Sequence, residues 1–327
     1  MTNRQLGIRL ALLLLIVAAP ILPFTLLWPG VVGVALFGVL VAVFAWISGG
    51  ARVAIPVTVA LALLGILGIV CRDHTWLLAL ILLLLGIGYG VAASRGIGSA
   101  VLQLPILVPY FMMRPPPLFT DGPAEVTPLY LLAVGVIVVL AGLWTVLVLR
   151  KAMGRRALKV VDVADPRAAI VHGTVLGVLS AIVVTIAQTS VTNLHWVWVT
   201  LTLYLLANPT GPVNAKKMLY RVLGTFAGFV VVGVLLLTGL PHLILVSLAV
   251  VSLWACLFFY VAKRPYWQYV VFLTITVVLM DSSDASTVVL DAERIGFTVL
   301  GALLAIGSSF VVNLLMFRRR HALADEA

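Results

Sequence analysis

Long uninterrupted apolar runs, parted by short breaks of Gly, Pro and basic residues, fill this chain from end to end; "ILLLLGIGYGVAA" (81–93) and "FVVVGVLLLTGL" (229–240) are typical. A membrane crossing needs about 20 apolar residues, and somewhat fewer inside a bundle. On that scale the pattern predicts about twelve helices, over 8–27, 31–47, 53–70, 76–93, 97–113, 128–149, 169–188, 195–207, 221–239, 242–261, 266–280 and 295–316. The second and eighth are expected to be short, since they sit beside Pro and Gly at "LLWPGVVG" and "LLANPTGP". Pro105 and Pro109 in "LPILVPYF" should kink the fifth.

Composition makes the class firm. Hydrophobic residues are 63% of the 327, charged residues 10%, and the mean hydropathy is +1.22. Roughly a quarter of a typical globular chain is charged, so the fold class is all-α: a polytopic transmembrane bundle. The first apolar run has no convincing small-residue cleavage site after it and reads as a retained helix. The net charge of +10 does not point to nucleic acid, because the bases lie in short loops between apolar runs. Cys71 and Cys256 stand apart, with no CxxC and no His/Cys cluster, so neither a disulfide framework, a metal site nor a cofactor is expected.

The loop charges set an orientation. With the N-terminus inside, every one of the 21 Lys and Arg except Arg72, Arg114 and Arg294 falls on the cytoplasmic side. Most acids, among them Asp73, Asp121, Glu125, Asp281, Asp284, Asp291 and Glu293, fall outside. Both termini are therefore expected in the cytoplasm. A shift of 168 residues lays "CRDHTWLLALILLLLG" over "GLPHLILVSLAVVSLW" and brings His74 to His242 and Glu125 to Glu293. This predicts two parallel six-helix repeats, 1–149 and 169–317, joined by a basic cytoplasmic connector, 150–168, and followed by a tail, 318–327.

The motifs in the second half carry a resemblance. "HWVWVTLTLYLLANPTGPVNAKKMLYRVLGTFAGFVVVG" and "DAERIGFTVLGALLAIG" resemble the fusaric acid resistance (FUSC) family of aromatic acid exporters. The matching positions are a Trp-rich short helix, a Pro-containing turn, Arg221, Gly224, Thr225 and Gly228, and then Arg294, Thr298 and Gly301. The resemblance implies an inner-membrane efflux transporter of a compact branch lacking the family's soluble domain. It covers about 170–315 and reaches the first half only through the repeat, where Arg52 is the nearest counterpart of Arg221.

Candidate residues follow from both sources. Arg221 is either a topogenic base snorkelling to the headgroups or an anion contact. Lys216 and Lys217 already supply the topogenic charge, and an inward-facing guanidinium can meet a carboxylate bidentately. Asn208 and Thr210 lie in a helix break of the kind that forms transporter sites, with a plain re-entry turn as the alternative. Thr225 joins Arg221, Asn208 and Thr210 in the expected substrate set. His74, His242, His195, Glu125 and Glu293 are the candidates for proton coupling, against a reading as hydrated edge residues. Gly224, Gly228 and Gly301 are expected to let neighbouring helices approach. Trp28, Trp76, Trp196 and Trp198 are expected as an external aromatic belt, and Gln103, Gln188, Gln268, Thr274, Thr276, Thr298 and Asn313 as helix-facing polar groups.

Together these readings describe a multi-pass protein of a bacterial inner membrane that exports small organic carboxylates, aromatic ones by the resemblance, on the proton gradient or the membrane potential. Its partners would be the organic anion, the lipid bilayer and a periplasmic membrane-fusion adaptor, with an oligomer allowed and nucleic acid excluded. The alternatives are a passive organic-anion channel and a non-transporting subunit anchoring the adaptor. An enzyme is not expected, since no nucleophile–base or metal constellation is visible.

Overall fold

The computed structural model describes residues 3–21, 23–24, 28–113, 115–116, 118–119, 125–153, 165–191, 196–206, 215–262, 264–281, 296–312 and 314–315. Helix dominates them, and no strand occurs among the described residues. The helices are α1 (Asn3–Ala18), α2 (Pro29–Gly49), α3 (Ala51–Cys71), α4 (Thr75–Ser94), α5 (Gly98–Val101) and α6 (Gln103–Met113). They continue with α7 (Pro128–Met153), α8 (Pro166–Ile186), α9 (Val197–Leu206), α10 (Ala215–Leu237), α11 (His242–Val261), α12 (Tyr266–Asp281) and α13 (Gly296–Val312). By length and composition, six are apolar spans long enough to cross a membrane, and α1, α9, α12 and α13 are among the shorter apolar helices. This is a multi-pass membrane protein.

Local chemistry explains where the pattern and the structure part. α2 is not short: it runs 21 residues, because Pro29 stands at its N-terminus, where the missing N–H costs nothing. α1 stops at Ala18, ahead of Pro20 and Pro23, and does not reach 27. The hydrogen-bond ladder of the fifth predicted helix is interrupted between Val101 and Gln103, while Leu102 keeps right-handed helical dihedrals and the apolar helix continues over Gly98–Met113. Pro105 has no N–H to give the Val101 carbonyl four residues back, and its ring crowds that carbonyl. α9 is as short as expected, with 10 residues. Trp196 and Trp198 do not join an aromatic belt. They are 2% and 5% exposed, because α9 lies inside the bundle, whereas Trp28 and Trp76 do face outward. Gln103, Thr274, Thr276 and Thr298 are buried among helices as expected, and Asn313 lies outside the described residues.

One large core joins α2 to α9 with α13, and a smaller one of Phe229, Val232, Leu245, Ala249, Ile275 and Val278 belongs to α10, α11 and α12. The most extensive helix contact is α4 on α8, made by glycines on both sides. A Cβ on Gly90 would lie 2.6 Å from the Ala169 carbonyl oxygen, and one on Gly177 2.6 Å from that of Leu83. Without those side chains the two backbones touch, which is how helices associate where water supplies no hydrophobic drive. α2 packs on α7, α3 on α6, α10 on α12 and α1 on α11. Gly301 sets α13 against α9, where a Cβ would come 2.7 Å from the Val199 carbonyl oxygen.

Candidate functional site

α10 is inverted relative to a helix of a water-soluble protein. Arg221, Gly224, Thr225, Gly228, Phe229 and Val232, at spacings of three and four, form its buried stripe. Leu219, Leu223, Phe226, Val230 and Val234 face outward. In a bilayer this is the stable arrangement, with apolar side chains against lipid and polar ones against other helices.

The buried stripe meets α12 closely. A Cβ on Gly224 would lie 2.9 Å from the Val270 Cβ and 3.0 Å from the Trp267 carbonyl oxygen. One on Gly228 would lie 2.7 Å from the Thr274 Cβ. The contacts advance together along both helices, so α10 and α12 run parallel. One turn before Gly224, on the same face, Arg221 comes level with the first turn of α12.

Arg221 is 1% exposed and ranks among the largest fully buried side chains. It does not snorkel. Its guanidinium is within electrostatic reach of Tyr266, Tyr269 and Cys256. The surrounding rings form a wall, with Tyr266 stacked on Tyr269 at 5.8 Å between centroids and Tyr260 tilted against Tyr269 at 5.6 Å. Lys217 closes the near end: its Nζ donates to the Leu205 carbonyl at 2.9 Å and sits 5.4 Å above the Tyr266 ring. That bond ties the last turn of α9 to the first turn of α10, on the approach to Arg221.

Several donors in this space are unspent. Neither Nε nor Nη1 of Arg221 has a hydrogen-bond partner among the described residues, and neither does the Thr225 hydroxyl. The enclosed Tyr266 hydroxyl lies beside the guanidinium, but no hydrogen bond of good geometry joins them. The ion pair found among the described residues is Arg72–Asp73, 3.5 Å apart and exposed, which leaves Arg221 without a described carboxylate. Buried polar groups are ordinarily paired, and an unpaired buried charge is costly.

The other expected site residues are not gathered here. His74 precedes α4 and Glu125 precedes α7, both exposed. His242 opens α11. Asn208, Thr210, His195 and Glu293 lie outside the described residues. The residues that pattern reading missed are Tyr266, Tyr269, Tyr260 and Cys256. "YWQY" directly after "KRP" reads as an interfacial aromatic patch, and its only pointer was the three-residue spacing of Tyr266 and Tyr269. A second buried polar patch, without charge, holds Tyr89 and Tyr204 at right angles with centroids 5.8 Å apart, close to Ser180. No group of His, Cys, Asp and Glu among the described residues is placed to hold a metal ion. An apolar cavity between α1, α2 and α11, lined by Leu13, Val39, Trp46 and Leu253, lies apart from Arg221.

Fold and site together define a multi-pass helical membrane protein with a buried cation in its second half. Residues 185–308, from the end of α8 into α13, match the family model described as fusaric acid resistance protein-like, and this segment is similar to that family. No curated protein and no solved structure matches the chain. This similarity points to a membrane transport or efflux role, and the matched segment contains Arg221 and the whole of α10 and α12.

Proposed function

We propose that this chain exports small organic carboxylates, aromatic ones above all, across a bacterial inner membrane, with Arg221 as the anion contact on the cytoplasmic side. One observation carries the reading: a guanidinium 1% exposed, with Nε and Nη1 unpartnered among the described residues. Structural arginines in membranes pair with acids or carbonyls, or reach for the headgroups; this one does none of these with its two open nitrogens. An anionic ligand would offset the desolvation cost of the buried guanidinium. The tyrosine wall offers flat apolar faces to an aromatic body while the carboxylate meets Arg221. Asn208 and Thr210 lie outside the described residues, between α9 and α10 in sequence, and keep their place in the proposed substrate set.

Two six-helix repeats enclose the pathway in this reading. The helix contacts support that: if α5 and α6 count as one helix, moving each helix by half the bundle exchanges α4–α8 with α1–α11. The same move exchanges α3–α6 with α10–α12, and α2–α7 with α9–α13. Both termini, the 150–168 connector and the 318–327 tail are then cytoplasmic.

A passive anion channel on the same scaffold is the second reading. It is favoured by the described carboxylates, since Asp73, Glu125 and Asp165 are all exposed and none sits at mid-depth to carry a coupled proton. An anion leaving a cell that is negative inside gains about 2.3 kcal/mol per charge per 100 mV, enough to drive export uncoupled. The test is efflux of benzoate-type acids from cells expressing the wild type, Arg221→Ala and Arg221→Lys, with and without a proton gradient. Export by the wild type and failure of both variants supports the Arg221 site. Export that persists at zero pH gradient and follows voltage selects the channel. Export by Arg221→Ala at the wild-type rate sinks the site, and a membrane subunit anchoring a periplasmic adaptor becomes the reading to pursue.

A further inference from the structure

Threonine hydroxyls inside helices ordinarily donate back to the carbonyl four residues earlier. Thr58, Thr145, Thr174, Thr185 and Thr276 all do so here, each at 2.8 Å. Thr225 does not. It is 1% exposed, and its hydroxyl has no partner among the described residues. Thr202 of α9 is also buried without a partner among the described residues, but Thr225 stands one turn from a buried guanidinium on the same helix face.

Tyr266 repeats the anomaly from the facing helix. Its hydroxyl oxygen is enclosed and unpartnered. The ring is held from two directions, by the stack on Tyr269 and by the Lys217 ammonium over its face, so the hydroxyl cannot swing out to water without breaking both contacts. The parallel register fixed by Gly224 on Val270 and Gly228 on Thr274 brings this first turn of α12 level with Arg221. The Arg221 guanidinium and the Tyr266 phenol thus meet from two helices, with Thr225 one turn further along the buried face of α10 and no carboxylate among the described residues beside them. A guanidinium with open N–H groups beside a phenol that can donate suits the two oxygens of an anionic ligand.

We propose that Tyr266 completes an oxyanion site with Arg221 and Thr225, in which the ligand's carboxylate gives one oxygen to the guanidinium of α10 and the other to the phenol of α12. This rests on the anion reading of Arg221 above and adds to it the residue that selects oxyanions. A carboxylate has two oxygens to divide between donors on different helices; a halide is one atom and serves the guanidinium alone. The bound oxyanion also bridges α10 and α12, so it stabilises the second half as well as filling it.

The test is isothermal titration of the full chain in lipid nanodiscs with sodium benzoate and, separately, sodium chloride. Tyr266→Phe should weaken benzoate about tenfold, the ordinary effect of losing one hydrogen bond to a charged group, and leave chloride within about twofold. Benzoate should raise the unfolding temperature of the wild type and raise that of Tyr266→Phe less, while the ligand-free unfolding temperatures coincide. If Tyr266→Phe does not fold, Thr225→Val carries the same comparison from α10. Benzoate binding equal to wild type in the substituted chain overturns the role of Tyr266 and leaves the Arg221 site standing. Equal loss of benzoate and chloride shows that the hydroxyl does not select oxyanions, and overturns the proposal. If the wild type binds neither, the Arg221 reading itself has failed.

Discussion

Helices α3 and α6 in the first half and α10 and α12 in the second occupy corresponding places along the chain, and both pairs close on glycine. In the first pair Gly65 lies against the Phe111 ring and Gly68 against Met112, both with 3.0 Å to the nearest atom of an added Cβ. In the second, Gly224 and Gly228 lie against Val270 and Thr274. The polar residues differ more than the packing. Arg52 is exposed in the first turn of α3 and Thr58 is bonded back to Ala54, so the first pair has spent these donors. Arg221 and Thr225 are both 1% exposed and keep donors unspent. The two pairs thus pack alike and differ in their polar groups, and the proposed ligand chemistry lies in what the second pair leaves open.

The largest effect should come from exchanging the two arginines for alanine. Arg221→Ala should reduce carboxylate efflux to the vector background, and Arg52→Ala should leave it within about twofold, as an exposed base at a helix end usually does. Radiolabelled benzoate efflux from matched cells reads both. Equal loss in the two variants would mean that positive charge on the cytoplasmic face, and not the buried position, is what transport needs.

The glycine contacts give the next effect, on stability. A Cβ at 228 would meet the β-branched Thr274 at 2.7 Å, with the Val271 carbonyl 3.0 Å away, and neither can yield without moving backbone. A Cβ at 68 would meet the flexible Met112 side chain, which can turn aside. Gly228→Ala should therefore cost roughly 1–3 kcal/mol of overpacking, and Gly68→Ala less, read as unfolding temperature in detergent.

These contrasts also show what was legible in the sequence. Helices in a membrane announce themselves, since a polar break is the only thing that interrupts an apolar run; α11 was read at its observed bounds, 242–261, and α12 to within a residue. The interrupted ladder ahead of Pro105 was legible in principle, because a proline's damage falls on the carbonyl four residues back. Arg221 stood out because two lysines beside it already did the topological work. Tyr266 did not, because only the register of α10 on α12 brings it to Arg221, and register between separate helices is not written in either helix alone. The α4–α8 contact escaped for the same reason: "GIGYG" and "HGTVLG" each read as ordinary small-residue patches until they face one another.

A smaller effect separates the two threonines. Thr58→Val removes a hydroxyl together with its local bond and substitutes a side chain of the same shape, so stability should change by less than about 1 kcal/mol and efflux not at all. Thr225→Val should leave stability unchanged too, since nothing among the described residues receives its hydroxyl, but should weaken benzoate several-fold in the titration. If Thr225→Val leaves benzoate affinity untouched, the unspent hydroxyl is an accident of packing.

The smallest effect concerns Lys217, which has no equivalent in the first pair. Its ammonium serves the Leu205 carbonyl at the end of α9 and lies over the Tyr266 ring, so it braces the site without belonging to it. Lys217→Met keeps most of the apolar stem and removes the charge. Losing a cation at a helix C-terminus costs about 0.3–1 kcal/mol, and efflux should fall no more than about twofold, because the guanidinium stays buried where the ligand meets it. A loss as complete as that of Arg221→Ala would reverse the assignment. Lys217 would then be the anion contact and Arg221 its support, and the second half would differ from the first in the charge at its mouth rather than in the donors left open inside it.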